Sequence, residues 1–205
     1  MNSRDALARL IALQIPVIDT ADAAAALGQS PFAASKTLAR LAESALVTQV
    51  RHGTWWLGRD VDPDRLASFI TAPFPAYISL QTALYRRGMI EQIPEILYLV
   101  SLARTQRVDT SAGTFSIHHV TPELFGAFEE TKSGACLATP EKAIFDLAYL
   151  SGGRSRLFAS VPELEVPSSF RWRELRRWIA RVASPRARTL TTRRLEGFLG
   201  RPLSS

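Results

Sequence analysis

Along the first 58 positions the apolar residues change rhythm from helical to alternating. Leu7, Leu10 and Ile11 repeat at the three-and-four spacing of an amphipathic helix that Ser3 can cap, and Pro16 ends it. Val17-Ile18 predicts a short extended connector. Thr20 then caps a compact helix over Ala21 to Leu27, closed by Gly28 where a left-handed residue is wanted. Ser30 as N-cap and Pro31 at the first helical position open a third helix that runs to about Ser44. Its Ala34, Leu38 and Leu41 share one face, while Phe32, Lys36, Ala39, Arg40 and Glu43 fall on the other. Leu46 to Arg51 and Thr54 to Leu57 read as two strands around the turn His52-Gly53. Helix, short strand, helix, turn, helix and hairpin in this order predict a winged helix-turn-helix over residues 1–58.

The polar run Gly58 to Asp64 marks a boundary, and residues 59–205 form a second domain. Ser79 to Gly88 predicts a helix with Leu80 and Leu84 inward, and Glu95 to Leu102 a buried strand. Thr105–Asp109 and Thr114–Val120 flank Ser111-Ala112-Gly113 as a hairpin. Thr139 and Pro140 open a helix through Leu150, stopped by Gly152-Gly153. In the last helical stretch Leu175, Trp178, Ile179 and Val182 form an apolar stripe, with Arg173, Arg176, Arg177 and Arg181 behind it. The expected fold class is α+β, with a small antiparallel sheet in a mixed α/β second domain.

Composition adds little until the charge is located. Hydrophobic residues make up 46% and charged residues 21% of the 205, an ordinary globular balance. The net charge of +6 is unevenly spread. Residues 1–170 hold 15 Lys and Arg against 17 acids, whereas residues 171–205 hold ten Arg against Glu174 and Glu196. Such a basic segment attracts phosphate or an acidic protein. The start of the chain lacks the apolar run of a signal peptide, and no stretch is long enough to span a bilayer, so a soluble cytoplasmic protein is expected. The lone Cys136, between Ala135 and Leu137, reads as a small buried hydrophobe.

The third helix of a winged helix enters the major groove. Ser35, Lys36 and Arg40 are then the candidate base readers, and Phe32 could touch a thymine methyl. Arg51, His52 and Thr54 at the wing tip would lie over the minor groove or backbone, with Ser30 suited to a phosphate. Residues 1–58 carry a net charge of only +1, so tight binding of double-stranded DNA needs a homodimer or help from the tail. Arg173, Arg176, Arg177 and Arg181 leave three readings open: a solvated face, a nucleic-acid contact or a protein-docking surface. No catalytic constellation, cofactor motif or metal site emerges. His118 and His119 are adjacent in a strand and point to opposite faces, and Glu141, Lys142 and Asp146 read as surface pairs and a cap contact.

The chain resembles the AbiEi-type abortive-infection antitoxins of type IV toxin–antitoxin pairs. The resemblance lies in Ala76-Tyr77-Ile78-Ser79-Leu80-Gln81-Thr82-Ala83-Leu84, Gly88-Met89-Ile90, Thr114-Phe115-Ser116-Ile117 and Ala138-Thr139-Pro140-Glu141-Lys142-Ala143. The resemblance implies autorepression at inverted-repeat operators and a second domain that counteracts a nucleotidyltransferase-like toxin without forming a stable complex. The alternative is a protein-interaction module in which the winged helix is only a scaffold.

Overall fold

The computed structural model describes residues 2–151 and 163–203 and has an α+β architecture. The first six elements are α1 (Ser3–Ile11), β1 (Val17–Asp19), α2 (Thr20–Leu27), α3 (Pro31–Glu43), β2 (Thr48–Arg51) and β3 (Thr54–Trp56). Asn2, and not Ser3, caps α1, its side chain accepting the Asp5 N–H at 2.8 Å. Likewise Asp19 holds the N-cap position of α2, and Thr20 is its first helical residue. Both differences are one-residue slips of the helix frame, the ordinary uncertainty of a terminus. The strands pair antiparallel in the order β1-β3-β2.

A six-stranded sheet dominates the remainder, in the order β6-β7-β5-β4-β9-β8. Its strands are β4 (Ala76–Ile78), β5 (Leu97–Ser101), β6 (Gln106–Thr110), β7 (Gly113–His119), β8 (Phe128–Glu130) and β9 (Cys136–Ala138). The pairs β5–β7 and β4–β9 are parallel, so the small antiparallel sheet expected from sequence is replaced by a larger mixed one. Three of its strands are only three residues long, too short to show alternation. Cys136, on β9, is half-buried rather than fully enclosed. The helices are α4 (Pro63–Ala67), α5 (Leu80–Arg86), α6 (Pro140–Leu150), α7 (Trp172–Ala180) and α8 (Pro185–Leu199). Helix α6 packs against α5, α7 and α8. The Gly152-Gly153 stop expected after α6 lies outside the described residues.

The core divides in two. Leu10, Leu27, Leu38, Leu41 and Trp55 belong to a small cluster under α1–α3. Val50 and Trp56 join the large cluster of residues 66–203. Successive side chains of a strand point to opposite faces, so the neighbours Trp55 and Trp56 send one indole into each core. The three-stranded sheet is a wall shared by both. The Ser111 N–H, in the β6–β7 turn, donates to the Val50 carbonyl at 3.0 Å and ties the outer edge of β2 to the larger sheet.

A polar network lies inside the large core. Lys142 and Asp146, expected on the surface, are both fully buried and form an ion pair one turn apart on α6. Tyr77 and Ser79 donate hydroxyl hydrogen bonds to the second oxygen of Asp146 at 3.0 and 2.8 Å. The ammonium of Lys142 lies 4.4 Å from the ring centroid of Trp178 and 4.9 Å from that of Phe145. Burial pushes the Asp146 carboxyl up and the Lys142 amine down, and their mutual attraction opposes both shifts. Neighbouring Leu80 enters α5 with φ at 51°, a left-handed conformation that costs a branched residue ~1–3 kcal/mol. That bend turns the chain from β4 into α5 within one residue.

Replacing one partner of a buried pair strands the other charge. Lys142→Ala is expected to cost about 3–5 kcal/mol in urea unfolding. The double variant Lys142→Met, Asp146→Asn, which keeps an acceptor for Tyr77 and Ser79, should recover part of that loss. His118 provides a pH test. Burial lowers its imidazole below the ordinary 6.5. As pH falls past that value the unfolded chain takes up a proton that the fold resists, so stability is full above it and declines below. Unfolding free energies at about pH 7.5 and about pH 5.5 should differ less for His118→Gln than for the parent.

Candidate nucleic-acid interface

Helix α3 is positioned from both ends. Gly28 closes α2 with φ at 63°, and the Gln29 N–H donates to the Ala24 carbonyl at 2.9 Å. Two residues later Ser30 opens α3, its hydroxyl accepting the Ala33 N–H at 3.3 Å, with Pro31 preset for the first turn. The buried face is Ala34, Thr37, Leu38 and Leu41. Thr37 donates to the Gln29 Oε1 at 3.1 Å, which joins the inter-helix turn to the middle of α3. Phe32, Ser35, Lys36, Ala39 and Arg40 are left exposed. The Lys36 ammonium sits 4.4 Å from the Phe32 ring centroid.

The β2–β3 hairpin is fixed to the start of α2. The Thr20 N–H and hydroxyl both donate to the Gly53 carbonyl, at 2.9 and 3.2 Å, and the Trp55 indole N–H donates to the Thr20 hydroxyl at 3.0 Å. Gly53 carries φ at 78°, which the tight turn requires. Arg51 and His52 are exposed beside it. Thr54, expected at the exposed tip, is instead buried, and its hydroxyl donates to Asp19 at 3.0 Å. The reason is pairing: Thr54 faces Asp19 across β1–β3, and β1 covers its side chain while the Asp19 carboxylate accepts its hydroxyl hydrogen. Arg51 reaches back to that hydroxyl through Nε at 3.4 Å. Among the described residues Lys36, Arg40 and Arg51 form no ion pair.

The basic C-terminal segment divides by use. Leu175, Trp178 and Val182 are buried, and Arg173, Arg176, Arg177 and Arg181 are exposed. Arg177 pairs with Glu174 at 2.6 Å, and Arg181 lies 4.3 Å over Trp178. Several arginines outside the sequence-predicted set are structural. Arg188 donates twice to the Val182 carbonyl, at 3.0 and 2.8 Å, capping the end of α7. Arg194 donates to the Ala148 carbonyl at 3.2 Å, and the backbone N–H of Arg171 to Glu141 at 2.7 Å. Spacing alone gives no sign of the Arg171 and Arg194 contacts, because their partners lie 30 and 46 residues away.

The histidines are not brought together. His118 is buried with Nε2 3.0 Å from the Ser116 hydroxyl, while exposed His119 faces the Leu102 and Ala103 carbonyls at 3.2 Å. Among the described residues no three His, Cys, Asp or Glu side chains are grouped as a metal site, and no helix is long and apolar enough to cross a membrane. No model of a known family matches the chain, and no curated protein sequence matches it.

Proposed function

We propose that the chain is a DNA-binding transcriptional regulator in which residues 1–58 act as a winged helix-turn-helix and α3 enters the major groove. The observation that carries this reading is the exposed face of α3. Ser35, Lys36 and Arg40 stand there with no acidic partner among the described residues, on a helix braced by the Ser30 cap and the Thr37–Gln29 bond. Arg51 and His52 at the hairpin tip supply contacts to the backbone or minor groove. The regulator is further proposed as autorepressor and antitoxin of an AbiEi-type operon, binding inverted repeats as a homodimer and countering a nucleotidyltransferase-like toxin. Support for the antitoxin part is the resemblance of Tyr77-Ile78-Ser79-Leu80 and Thr139-Pro140-Glu141-Lys142-Ala143 to that family. A second reading, a protein-docking module, is favoured by the exposed Arg173 and Arg176 on α7, which have no carboxylate partner among the described residues.

Electrophoretic shift with the chain's own upstream DNA tests the first reading. Lys36→Ala or Arg40→Ala should weaken binding by ~1–3 kcal/mol and relax preference at one operator position. If both variants bind operator and scrambled duplex as the parent does, α3 does not enter the groove. A salt series separates the roles of the tail. If Arg173 and Arg176 touch phosphate, changing both to Glu should weaken all duplexes alike and flatten the salt dependence. Unchanged DNA affinity together with failed toxin neutralisation in cells would assign them to a protein surface.

A further inference from the structure

Phe32 is 71% exposed, the highest value among the large hydrophobic side chains described as exposed. It stands in the first turn of α3, on the face that leaves the protein. Nothing in either core requires a phenyl ring there, and water makes such exposure unfavourable. Lys36 follows one turn later. Side chains on a helix lean toward its N-terminus, so the lysine stem runs back over the ring and places its ammonium 4.4 Å from the centroid. That contact biases the lysine's long stem toward this arrangement before any ligand arrives. Arg40, a further turn along, has no such platform.

The geometry points to Phe32 and Lys36 acting as one reading unit, specific for a thymine with a guanine on the adjacent base pair. This inference rests on the major-groove reading of α3 given above. A thymine displays its 5-methyl group in the major groove, the one apolar feature there, and a phenyl ring is a fitting contact for it. The ammonium has only donors to offer and suits the O6 and N7 acceptors of guanine. Base pairs stack at about 3.4 Å, close to the separation between ring and ammonium, so the two tips address neighbouring pairs. The ring does two things at once: it recognises the methyl group and it aims the lysine. Lys36 alone would accept guanine at several positions. Paired with Phe32, it is confined to one.

The test uses the full-length chain and duplexes recovered by selection from a random-sequence DNA pool. Each thymine of the recovered site is then replaced by uracil, which differs only in lacking the methyl group. A single uracil in one half-site should weaken binding by about four-fold, the value of one buried methyl-sized group. Phe32→Ala should bind thymine and uracil duplexes equally and should also lose the preference for the adjacent guanine. Lys36→Met should lose the guanine preference while retaining sensitivity to uracil. Uracil tolerated at every position by the parent, or discrimination retained in Phe32→Ala, overturns the paired reading and leaves DNA binding standing. If no sequence is enriched from the pool, the groove reading itself fails.

Discussion

The larger part of this chain is organised around two opposite charges that have been taken out of water together. Lys142 and Asp146 face each other inside the core, and neither has solvent to fall back on. A buried pair of this kind adds little net stability, because desolvation offsets most of the attraction. Its effect is on uniqueness. Asp146 must accept from Tyr77 and Ser79, which sets the depth of β4 and the start of α5. Lys142 must sit among Phe145, Tyr77 and Trp178, which sets how α7 docks. Any other packing of these helices would leave a charge or a hydroxyl unsatisfied. The arginines of α7 are presented from a platform that this network holds.

Much of the N-terminal arrangement was legible because its turns have chemical signatures. Gly28, Ser30-Pro31 and His52-Gly53 each mark a boundary through backbone stereochemistry, which is local and therefore readable. The same logic placed Phe32, Lys36 and Arg40 outside and Leu38 and Leu41 inside α3. Thr54 went astray because its burial depends on Asp19, a partner 35 residues away. Lys142 and Asp146 were misread for a related reason. Opposite charges four apart on a helix look the same whether solvated or enclosed. One signal was available: Ala143, Ile144, Phe145, Leu147 and Ala148 surround the pair with apolar residues on every side, the mark of a helix buried all round. The short strands β4, β8 and β9 had no comparable signal, since three residues cannot display a period.

The candidate interface combines stiffness with uncommitted charge. Thr20, Gly53 and Trp55 lock the hairpin tip to α2, and Gln29 locks the turn before α3 to its middle. The cations carried on these supports have few internal obligations. The C-terminal segment is more divided. Arg188 and Arg194 spend their donors on carbonyls of the fold, so the formal charge there overstates what an outside partner could engage.

Trp55 and Trp56 have a consequence for how this chain can vary. Because one indole serves each core, the three-stranded sheet has no solvent face of its own behind β3. The front half is therefore not an interchangeable head that could be grafted onto another body. A chimera would need a substitute for the Ser111 bond to β2 and for the large core that encloses Val50 and Trp56. Divergence at that seam has to proceed by matched changes on both sides. The exposed residues of α3 lie away from the seam, and changes among them need no matching change in either core. The architecture thus separates what can be altered one position at a time from what must be altered in concert.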